Sequence, residues 1–339
     1  MHYAFQIKPH ANARYALSMN KLARIECQCL LYALGIHADV TQETLAGTQF
    51  IVLETEELNE QGWKILSGHS GVSFAALKEG DWLKPMQLYQ AAYLDADLAQ
   101  ILKYKGKTNA DFTLMMLHCA KAASTFALDD APLTVLDPVC GRGTTLYSAL
   151  QEGNNATGIE INGKDIHEAN TYFKRYLQYH RHKHKRETYS ATLPQGNHAE
   201  EIRYQLANDV RAYKDGDFRT LRLFRGDAAY ADRMAGSESC HLLIADLPYG
   251  VQHGTKGEKG KSALERLMWE IFPACCQTLK KGGAAAIAFN TFTLKRESVS
   301  TALQNAGFRV LTQPPFDNFS HWVEQAVNRD MVIAVKDEV

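Results

Sequence analysis

The chain has 339 residues, a formal net charge of −1 and 45% hydrophobic residues, which suits a globular protein of about two domains. The balanced charge excludes a uniformly basic nucleic-acid-binding protein, so any contact with nucleic acid must come from a local patch. No stretch approaches the roughly 18 apolar residues of a membrane span, and the seven cysteines follow no paired CxxC pattern. We therefore expect reduced thiols, a cytoplasmic location and no membrane partner.

The first part of the chain predicts a small α+β domain. Strand-like alternation and helical periodicity follow one another at residues 3–8, 12–35, 48–56 and 71–77, with a further helix between the last two. We assign residues 1–80 to this domain and residues 81–109 to a connector.

From about residue 110 the pattern becomes a regular alternation of strands and helices. The predicted helices lie at 110–124, 144–152, 163–183, 199–213, 262–280 and 294–306, and the predicted strands at 133–137, 155–161, 220–226, 241–246, 284–290, 308–313 and 330–336. Such alternation predicts an α/β fold with a mostly parallel sheet covered on both faces. The last two strands lack a crossover helix, which predicts an antiparallel pair at the sheet edge.

The segment "LTVLDPVCGRGTTLYSAL" contains the first sign of a ligand site. Asp137 ends its strand, and Gly141 and Gly143 allow a tight turn and close approach of a ligand to the backbone. Thr144 and Thr145 then open a helix whose amide groups face the same place. In open parallel sheets, ligands bind at this carboxyl end of the strands.

The details of this segment exclude two common nucleotide sites. A phosphate loop of Walker type requires Lys followed by Ser or Thr after the second glycine, and a dinucleotide fold requires glycine where this chain has Leu146. Asp137 would also repel a pyrophosphate. An acid before the glycines instead suits a ligand with a cationic end, such as S-adenosylmethionine.

Three further acids end predicted strands in order along the chain. Glu160 in "ATGIEIN" is placed to accept both hydroxyls of a ribose, Asp227 in "LFRGDA" to accept from an adenine amine, and Asp246 begins "DLPYG". Together with Asp137 they predict one cofactor site at the carboxyl edge of the sheet.

These motifs resemble those of the class I S-adenosylmethionine-dependent methyltransferases that modify amino groups. "DPVCGRGTTL" resembles their first motif and "DLPYG" their (Asp/Asn)-Pro-Pro-(Tyr/Phe) motif, with tRNA guanosine-N2 methyltransferases and their bacterial relatives the most similar, over roughly residues 100–339. The resemblance implies a Rossmann-like sheet and S-adenosylmethionine as cofactor. The cofactor-binding residues that it implies are Asp137, Cys140, Gly141, Gly143, Thr144, Thr145, Glu160, Ile161, Asp227, Ala228, Asp246 and Thr108, the last within the segment "KYKGKTNADFT".

The "DLPYG" motif also has a chemical interpretation. An exocyclic base amine is a poor nucleophile, so it needs acceptors that hold its hydrogens and aim its lone pair at the methyl carbon. Asp246 can accept one hydrogen, and the carbonyl of Leu247 or Pro248 the other, while Tyr249 can stack on the base. The resemblance makes Asp246, Pro248 and Tyr249 the catalytic residues. Asp rather than Asn favours guanosine N2 over adenine N6, whereas Leu247 departs from the usual proline.

Two segments are candidates for contact with RNA, tRNA in particular. The loop "YGVQHGTKGEKGKSALE" follows the motif and contains His253, and it suits either a mobile substrate loop or an ordinary solvated one. Residues 174–186 hold six Lys or Arg, three His and no acid, which suits phosphate binding through Lys183, Lys185 and Arg186. The alternative for residues 174–186 is the solvated end of a helix. These residues begin a basic insertion in the second domain, near 174–215.

Histidines alternate at His180, His182 and His184, and alternating residues do not line up on one helix face. We therefore predict no metal site.

An RNA role for the first domain follows from a weaker resemblance of its start to the same tRNA enzymes. Two other functions stay open: an adenine-N6 methyltransferase acting on DNA or RNA, and a catalytically silent partner protein. The oligomeric state and any partner subunit also stay open.

Overall fold

The computed structural model describes residues 1–89, 93–95, 97–101, 107–249 and 258–337, apart from the side chains of residues 195 and 258–262. Two sheets follow one another along the chain. The first unit comprises β1 (His2–Ile7), α1 (Ala13–Leu34), β2 (Asp39–Leu45), β3 (Thr48–Glu54), α2 (Glu60–Ser67), β4 (Val72–Glu79) and β5 (Trp82–Met86). Its strands pair antiparallel in the order β2-β3-β1-β4-β5, which confirms a small α+β unit.

Two strands of this unit, β2 and β5, were not predicted. Both lie at sheet edges and bury few side chains, so neither has the apolar alternation that marks a half-buried strand. Strand β5, assigned to the connector on sequence grounds, pairs with β4 instead. The first sheet therefore continues to Met86.

The second unit is larger. Its described elements are α3 (Leu98–Ile101), α4 (Ala110–Ala123), β6 (Thr134–Asp137), α5 (Thr144–Gln151), β7 (Asn155–Glu160), α6 (Gly163–Tyr179), β8 (Lys183–Thr192), β9 (His198–Ala207), α7 (Val210–Lys214), β10 (Arg219–Arg225), α8 (Ala231–Ala235), β11 (Cys240–Asp246), α9 (Glu258–Thr278), β12 (Leu279–Asn290), α10 (Arg296–Asn305), β13 (Arg309–Val310), β14 (His321–Glu324) and β15 (Val327–Val335). Short 3-10 turns follow β8 and β10.

One ten-stranded sheet organises this unit, in the order β13-β15-β12-β11-β6-β7-β10-β9-β8, with β14 paired to β15. The central strands from β12 to β10 run parallel, and both edges are antiparallel. The mostly parallel sheet with an antiparallel edge is confirmed. From β6 the chain builds outward first through β7 and then through β11, so strand order reverses there, which is where doubly wound folds bind ligands.

Alternate residues of the central strands supply two cores. One face of the sheet packs against α4, α5 and α6, and the other against α8, α9 and α10. In β11, for example, Leu242 and Ile244 belong to the first core, and Leu243 and Ala245 to the second. Strands buried on both faces explain the unbroken apolar runs in the sequence.

The β8–β9 hairpin corrects two predicted helices. Helix α6 ends at Tyr179 rather than at residue 183, and the segment predicted as a helix at 199–213 begins with strand β9. Glu, Arg and Gln in that strand favour a helix by propensity, but Ile202, Tyr204 and Leu206 face the core at a period of two. The basic segment is therefore divided: residues 174–179 belong to α6, and the part from Lys183 onward lies on an exposed edge strand.

Helix α1 joins the two units. Asn12 caps its start by accepting a hydrogen bond from the Tyr15 amide, and Gly35 ends it with a left-handed φ of 65°. One side of α1 packs on the first sheet, and Leu22 and Cys29 on the other side enter the core of the second unit. The first unit is therefore packed against α4 through a shared apolar contact.

A buried polar cluster lies in this same contact. The Glu26 carboxylate in α1 accepts hydrogen bonds from the Ser70 amide at 2.9 Å and the Ser70 hydroxyl at 2.5 Å, and it lies 2.7 Å from His118 Nδ1 in α4. The other His118 nitrogen lies 3.6 Å from Glu152 at the end of α5. The cluster thus connects three helices across the two units.

Within the described part of the chain, no helix combines the length and the apolarity that a membrane crossing requires.

Candidate active site

Three of the predicted acids end adjacent parallel strands. Asp137, Glu160 and Asp246 are the last residues of β6, β7 and β11, and β6 lies between the other two strands. Asp227 follows β10 at the same edge and is exposed. The structure therefore brings the four acids to one edge of the sheet, as the parallel strand directions require.

The glycine turn after β6 closes over the end of β7. The Cys140 amide donates to the Ile159 carbonyl at 3.0 Å, and the Gly143 amide donates to the Cys140 carbonyl at 2.8 Å. Gly141 and Gly143 have φ of 50° and 92°, a region that side chains disfavour. The Gly141 amide donates to Glu160 Oε2 at 3.1 Å, so the turn and the acid of the next strand form one unit.

Gly158 in β7 makes room for this turn. A Cβ at Gly158 would lie 2.5 Å from Leu146 Cδ1 and 2.8 Å from Cys140 Sγ. The Cys140 side chain is buried against this strand, and burial raises the pKa of its thiol well above the ordinary value. Cys140 thus contributes its backbone to the edge, while its thiol is unreactive. Thr144 and Thr145 are buried at the start of α5, directly after the turn.

Asp137 is buried among other acids. Its side chain is only 3% exposed, and the Val139 amide donates to it at 3.0 Å. Burial is the main reason that the pKa of Asp137 rises to about 7; the charges of Glu160 and Asp246 add to the rise, while hydrogen bonds from Thr145 and Val139 oppose it. A concentration of negative charge of this kind is stabilised by a cationic ligand.

The next two strand ends carry acids and an exposed apolar residue. Glu160 also accepts a hydrogen bond from the Asn162 amide at 2.7 Å, and Ile161 beside it is 72% exposed. Asp227 accepts from the Ala229 amide at 2.9 Å, with Ala228 buried next to it. Two carboxylates that flank an exposed apolar side chain suit a ligand with polar edges and a flat apolar face.

Asp246 is surrounded by hydrogen-bond donors. The Thr108 hydroxyl donates to Asp246 Oδ2 at 2.5 Å, and the Tyr249 hydroxyl lies 2.9 and 3.0 Å from the two carboxylate oxygens. Burial, reinforced by the charge of Asp246, raises the pKa of Tyr249 well above its ordinary value. Its hydroxyl therefore stays protonated and donates. Thr108, expected to contact the cofactor, contacts the acid of "DLPYG" in this structure.

Arg329 in β15 lies behind this pair and was missed by sequence reasoning. It is 4% exposed, its Nε donates to the Tyr249 hydroxyl at 2.6 Å, and its Nη2 lies 3.7 Å from Asp246 Oδ2. Its guanidinium lies 4.3 Å from the ring centre of Phe112. Burial, the largest single influence, lowers the pKa of Arg329, but the charge of Asp246 and the interactions with Tyr249 together outweigh it, and the pKa is raised. The signal was an Arg-Asp pair within the apolar strand "AVNRDMVIAV".

The structure explains why leucine replaces the usual proline at position 247. The Leu247 amide donates to the Ala288 carbonyl in β12 at 2.9 Å, and its side chain is buried in the core below the edge. Proline has no amide hydrogen and could not form this bond. Leu247 thus extends the pairing of β11 with β12 by one residue. Pro248, the next residue, is half-buried.

Lys183, Lys185 and Arg186 are exposed on β8, but the structure does not bring them to Asp246. Strand β8 is five strands away from β11 in the sheet order, or about 24 Å at the usual strand spacing. The register also places Lys183 level with the start of β10, at the amino edge of the sheet. Lys185 forms an ion pair with Glu187 at 3.0 Å. His253 lies outside the described residues.

Two aromatic residues at the carboxyl edge, one exposed and one half-buried, were also missed. Phe292 follows β12 and is 66% exposed. Trp322 in β14 packs against the guanidinium of Arg14 in α1, at 4.3 Å from the ring centre. Both aromatic residues stood outside any recognisable motif, so only the strand topology shows that they share an edge with Asp246.

No family model and no curated protein matches this chain. Among solved structures, it is similar to TrmN from Thermus thermophilus (17% identity, TM-score 0.40, 88% of this chain and 60% of that one). It is also similar to PH0851 (11%, 0.44, 99% and 59%) and to the T. thermophilus 16S rRNA N2 G1207 methyltransferase RsmC in complex with AdoMet and guanosine (12%, 0.32, 62% and 36%). The chain spans about 60% of the length of the first two. Likenesses at this level carry no information on activity. The strand order itself shows a doubly wound, Rossmann-like α/β sheet preceded by a small antiparallel sheet.

Proposed function

We propose that this protein transfers the methyl group of S-adenosylmethionine to an exocyclic base amine in RNA, with guanosine N2 of tRNA as the preferred target. The observation that carries the proposal is the edge formed by Asp137, Glu160 and Asp246 on adjacent strands, at the point where strand order reverses. Its first acid is buried and has a pKa raised to about 7, so a bound cation would stabilise its ionised form.

Each acid then has a separate role towards the cofactor. Asp137 attracts the cationic methionine end, and the turn through Gly141 and Gly143 lets that end approach the backbone. Glu160 accepts from the ribose hydroxyls, Asp227 accepts from the adenine amine, and the exposed Ile161 packs against the adenine ring. These assignments match the resemblance of the motifs and use groups that already lie at one edge.

The chemistry is a displacement at the methyl carbon. The bond between methyl and sulfur would break as the bond between nitrogen and carbon forms, which would leave S-adenosylhomocysteine, and the amine proton would pass to solvent. Asp246 accepts an amine hydrogen and aims the lone pair, and a carbonyl at Leu247 or Pro248 accepts the other. Thr108, Tyr249 and Arg329 hold the Asp246 carboxylate in place, so little reorganisation is needed at the moment of transfer.

The RNA would approach over the carboxyl edge. Phe292 offers an exposed ring for a base that has left its stack. The guanidinium of Arg14, a residue of the first unit, packs on Trp322 and so places a positive charge at the same edge. The chain after Met86 then links a first domain that contacts RNA to a catalytic domain. Lys183, Lys185 and Arg186 provide an outer contact for phosphates, which an RNA of tRNA size can reach across about 24 Å.

The proposal is tested by separating cofactor binding from turnover. Titration calorimetry with S-adenosylmethionine should show one site, and labelled methyl groups should pass to RNA. Asp246→Ala should abolish transfer and leave cofactor affinity within about threefold, since Asp246 acts on the amine. Wild type that does not bind S-adenosylmethionine would remove the basis for an enzyme. Unchanged turnover in Asp246→Ala would exclude the assigned role.

A further inference from the structure

Asp95, His180 and His182 converge at the end of α6. One possible ligand atom from each residue lies within 4.8 Å of the others. Helix α6 ends at Tyr179, and Arg181 has a left-handed φ of 58° that reverses the chain. The two imidazole rings therefore lie parallel, 12° apart in plane with centres 5.8 Å apart. The prediction of no metal site assumed that these histidines lie on one helix, but α6 ends before His180.

His182 has the hydrogen bonding of a metal ligand. Its Nδ1 lies 3.2 Å from the Asn208 carbonyl, and because a carbonyl only accepts, Nδ1 carries the proton. In the neutral ring, Nε2 then has a free lone pair. This Nε2 is buried and has no hydrogen-bond partner among the described residues. A histidine that donates one nitrogen to a carbonyl and directs the other towards further donors is typical of metal sites.

Asp95 supplies an oxygen ligand and a route to solvent. Its Oδ2 lies 2.9 Å from His180 Nδ1, while its carboxylate is largely exposed. The backbone of Asp95 is held, because its carbonyl accepts from Gln151 Nε2 at 3.1 Å and from the Leu98 amide at 3.2 Å. The backbone that carries the carboxylate is thus held beside the two histidines, and the carboxylate itself is open to solvent.

We propose that Asp95, His180 and His182 bind a divalent transition-metal ion, zinc in particular. Two imidazoles and a carboxylate are a common donor set for Zn²⁺, with water as the fourth ligand. Donor atoms around tetrahedral Zn²⁺ lie about 3.3 Å apart, so side-chain rotations bring donors within 4.8 Å into range. The ion joins the connector, the end of α6 and the start of β8. It anchors the hairpin that carries Lys183, Lys185 and Arg186, whether or not the chain is a methyltransferase.

The test uses untagged full-length protein freed of metal with a chelator. Zinc is titrated and bound metal is measured by mass spectrometry, and Co²⁺ is added in place of zinc to record its visible absorption. His182→Ala removes the free nitrogen, and Asp95→Asn removes an exposed carboxylate with little risk to folding. His184→Ala is the matched control, since this neighbouring strand residue is outside the cluster.

Wild type and His184→Ala should each bind one zinc ion and give the absorption of four-coordinate Co²⁺. His182→Ala and Asp95→Asn should bind it more than about 100-fold more weakly, beyond the 10- to 100-fold typical for loss of a supporting group. Wild type without stoichiometric zinc would overturn the proposal. So would equal affinity in His182→Ala or Asp95→Asn, because the metal would then lie elsewhere.

Discussion

Arg329 Nε donates a hydrogen bond to the Tyr249 hydroxyl at 2.6 Å, and that hydroxyl donates in turn to Asp246. A buried cation from strand β15 thus holds the tyrosine and the acid of "DLPYG" in one orientation. Because Arg329 is nearly fully buried, the connection is screened little by water.

Replacing Arg329 by Gln should slow methyl transfer more than it weakens cofactor binding. A charged hydrogen bond contributes about 1.5–3 kcal/mol, which corresponds to roughly a 10- to 100-fold loss in kcat. Steady-state kinetics and calorimetry on the same preparation measure both quantities. Arg296→Gln is the control, since Arg296 pairs with Asp330 at 3.0 Å and should change stability alone. Equal losses of kcat in both variants would contradict the role of Arg329.

Cofactor affinity should depend on pH through Asp137. With a pKa of about 7, only about a tenth of this carboxyl is ionised at pH 6 and about three quarters at pH 7.5, so affinity should rise about eightfold between them. Binding should also release a proton, which calorimetry detects in buffers of different ionisation enthalpy. A flat profile from pH 6 to 7.5 would show that Asp137 does not hold the cation.

Asp137→Asn should bind the cofactor poorly and yet fold more stably. The pKa of Asp137 is raised above its unfolded value, so the native state loses stability as pH rises towards and through 7. The rise from 3.8 to about 7 corresponds to at most about 4 kcal/mol. Urea unfolding at pH 8 should therefore show a higher midpoint for the variant, and a lower one would contradict the account.

The Glu26–His118 cluster should give stability a pH optimum. Burial alone would raise the pKa of Glu26, but His69, His118 and Ser70 lower it to about 2. Burial would lower the pKa of His118, but hydrogen bonds to Glu152 and Glu26 raise it to about 10. Stability from Glu26 is therefore lost as pH falls from 4.5 towards 2, and stability from His118 is lost as pH rises from 6.5 towards 10.

His118→Ala tests this cluster directly. It leaves a buried carboxylate short of a partner and should cost roughly 3–5 kcal/mol near pH 6, with a smaller loss near pH 10. Urea unfolding across this range measures the difference. His2→Ala is the control, since it removes only an exposed contact between His2 and Glu54, which lie 4.0 Å apart. This variant should change stability little. A loss in His118→Ala that does not vary with pH would indicate packing rather than charge.

The basic hairpin should contribute to RNA affinity and not to cofactor binding. Neutralising Lys183, Lys185 and Arg186 together should make RNA affinity less dependent on salt. The reduction in slope should correspond to the loss of up to about three phosphate contacts. Filter binding from 50 to 200 mM salt measures the slope. Arg211→Ala, an exposed cation on α7, is the matched control. An unchanged slope in the triple variant would make β8 an ordinary solvated edge.

The sequence predicted the parts of this fold that repeat a simple pattern. Apolar runs that end in Asp137, Glu160 and Asp246 predicted both the central strands and the shared edge, because parallel strands leave their carboxyl ends together. The β8–β9 hairpin was mistaken for helix because Glu, Arg and Gln favour helices, and only contacts with the core show a period of two. Arg329 and Asp95 reach their partners across long stretches of chain, so no local pattern places them.

Nucleoside mass spectrometry shows whether this protein methylates guanosine N2 in tRNA. Transfer RNA from cells that lack this protein is incubated with the pure protein and S-adenosylmethionine carrying a labelled methyl group, with Asp246→Ala in parallel. We expect labelled N2-methylguanosine with wild type and none with the variant. Label in N6-methyladenosine, label with Asp246→Ala, or no label in any nucleoside would contradict this expectation.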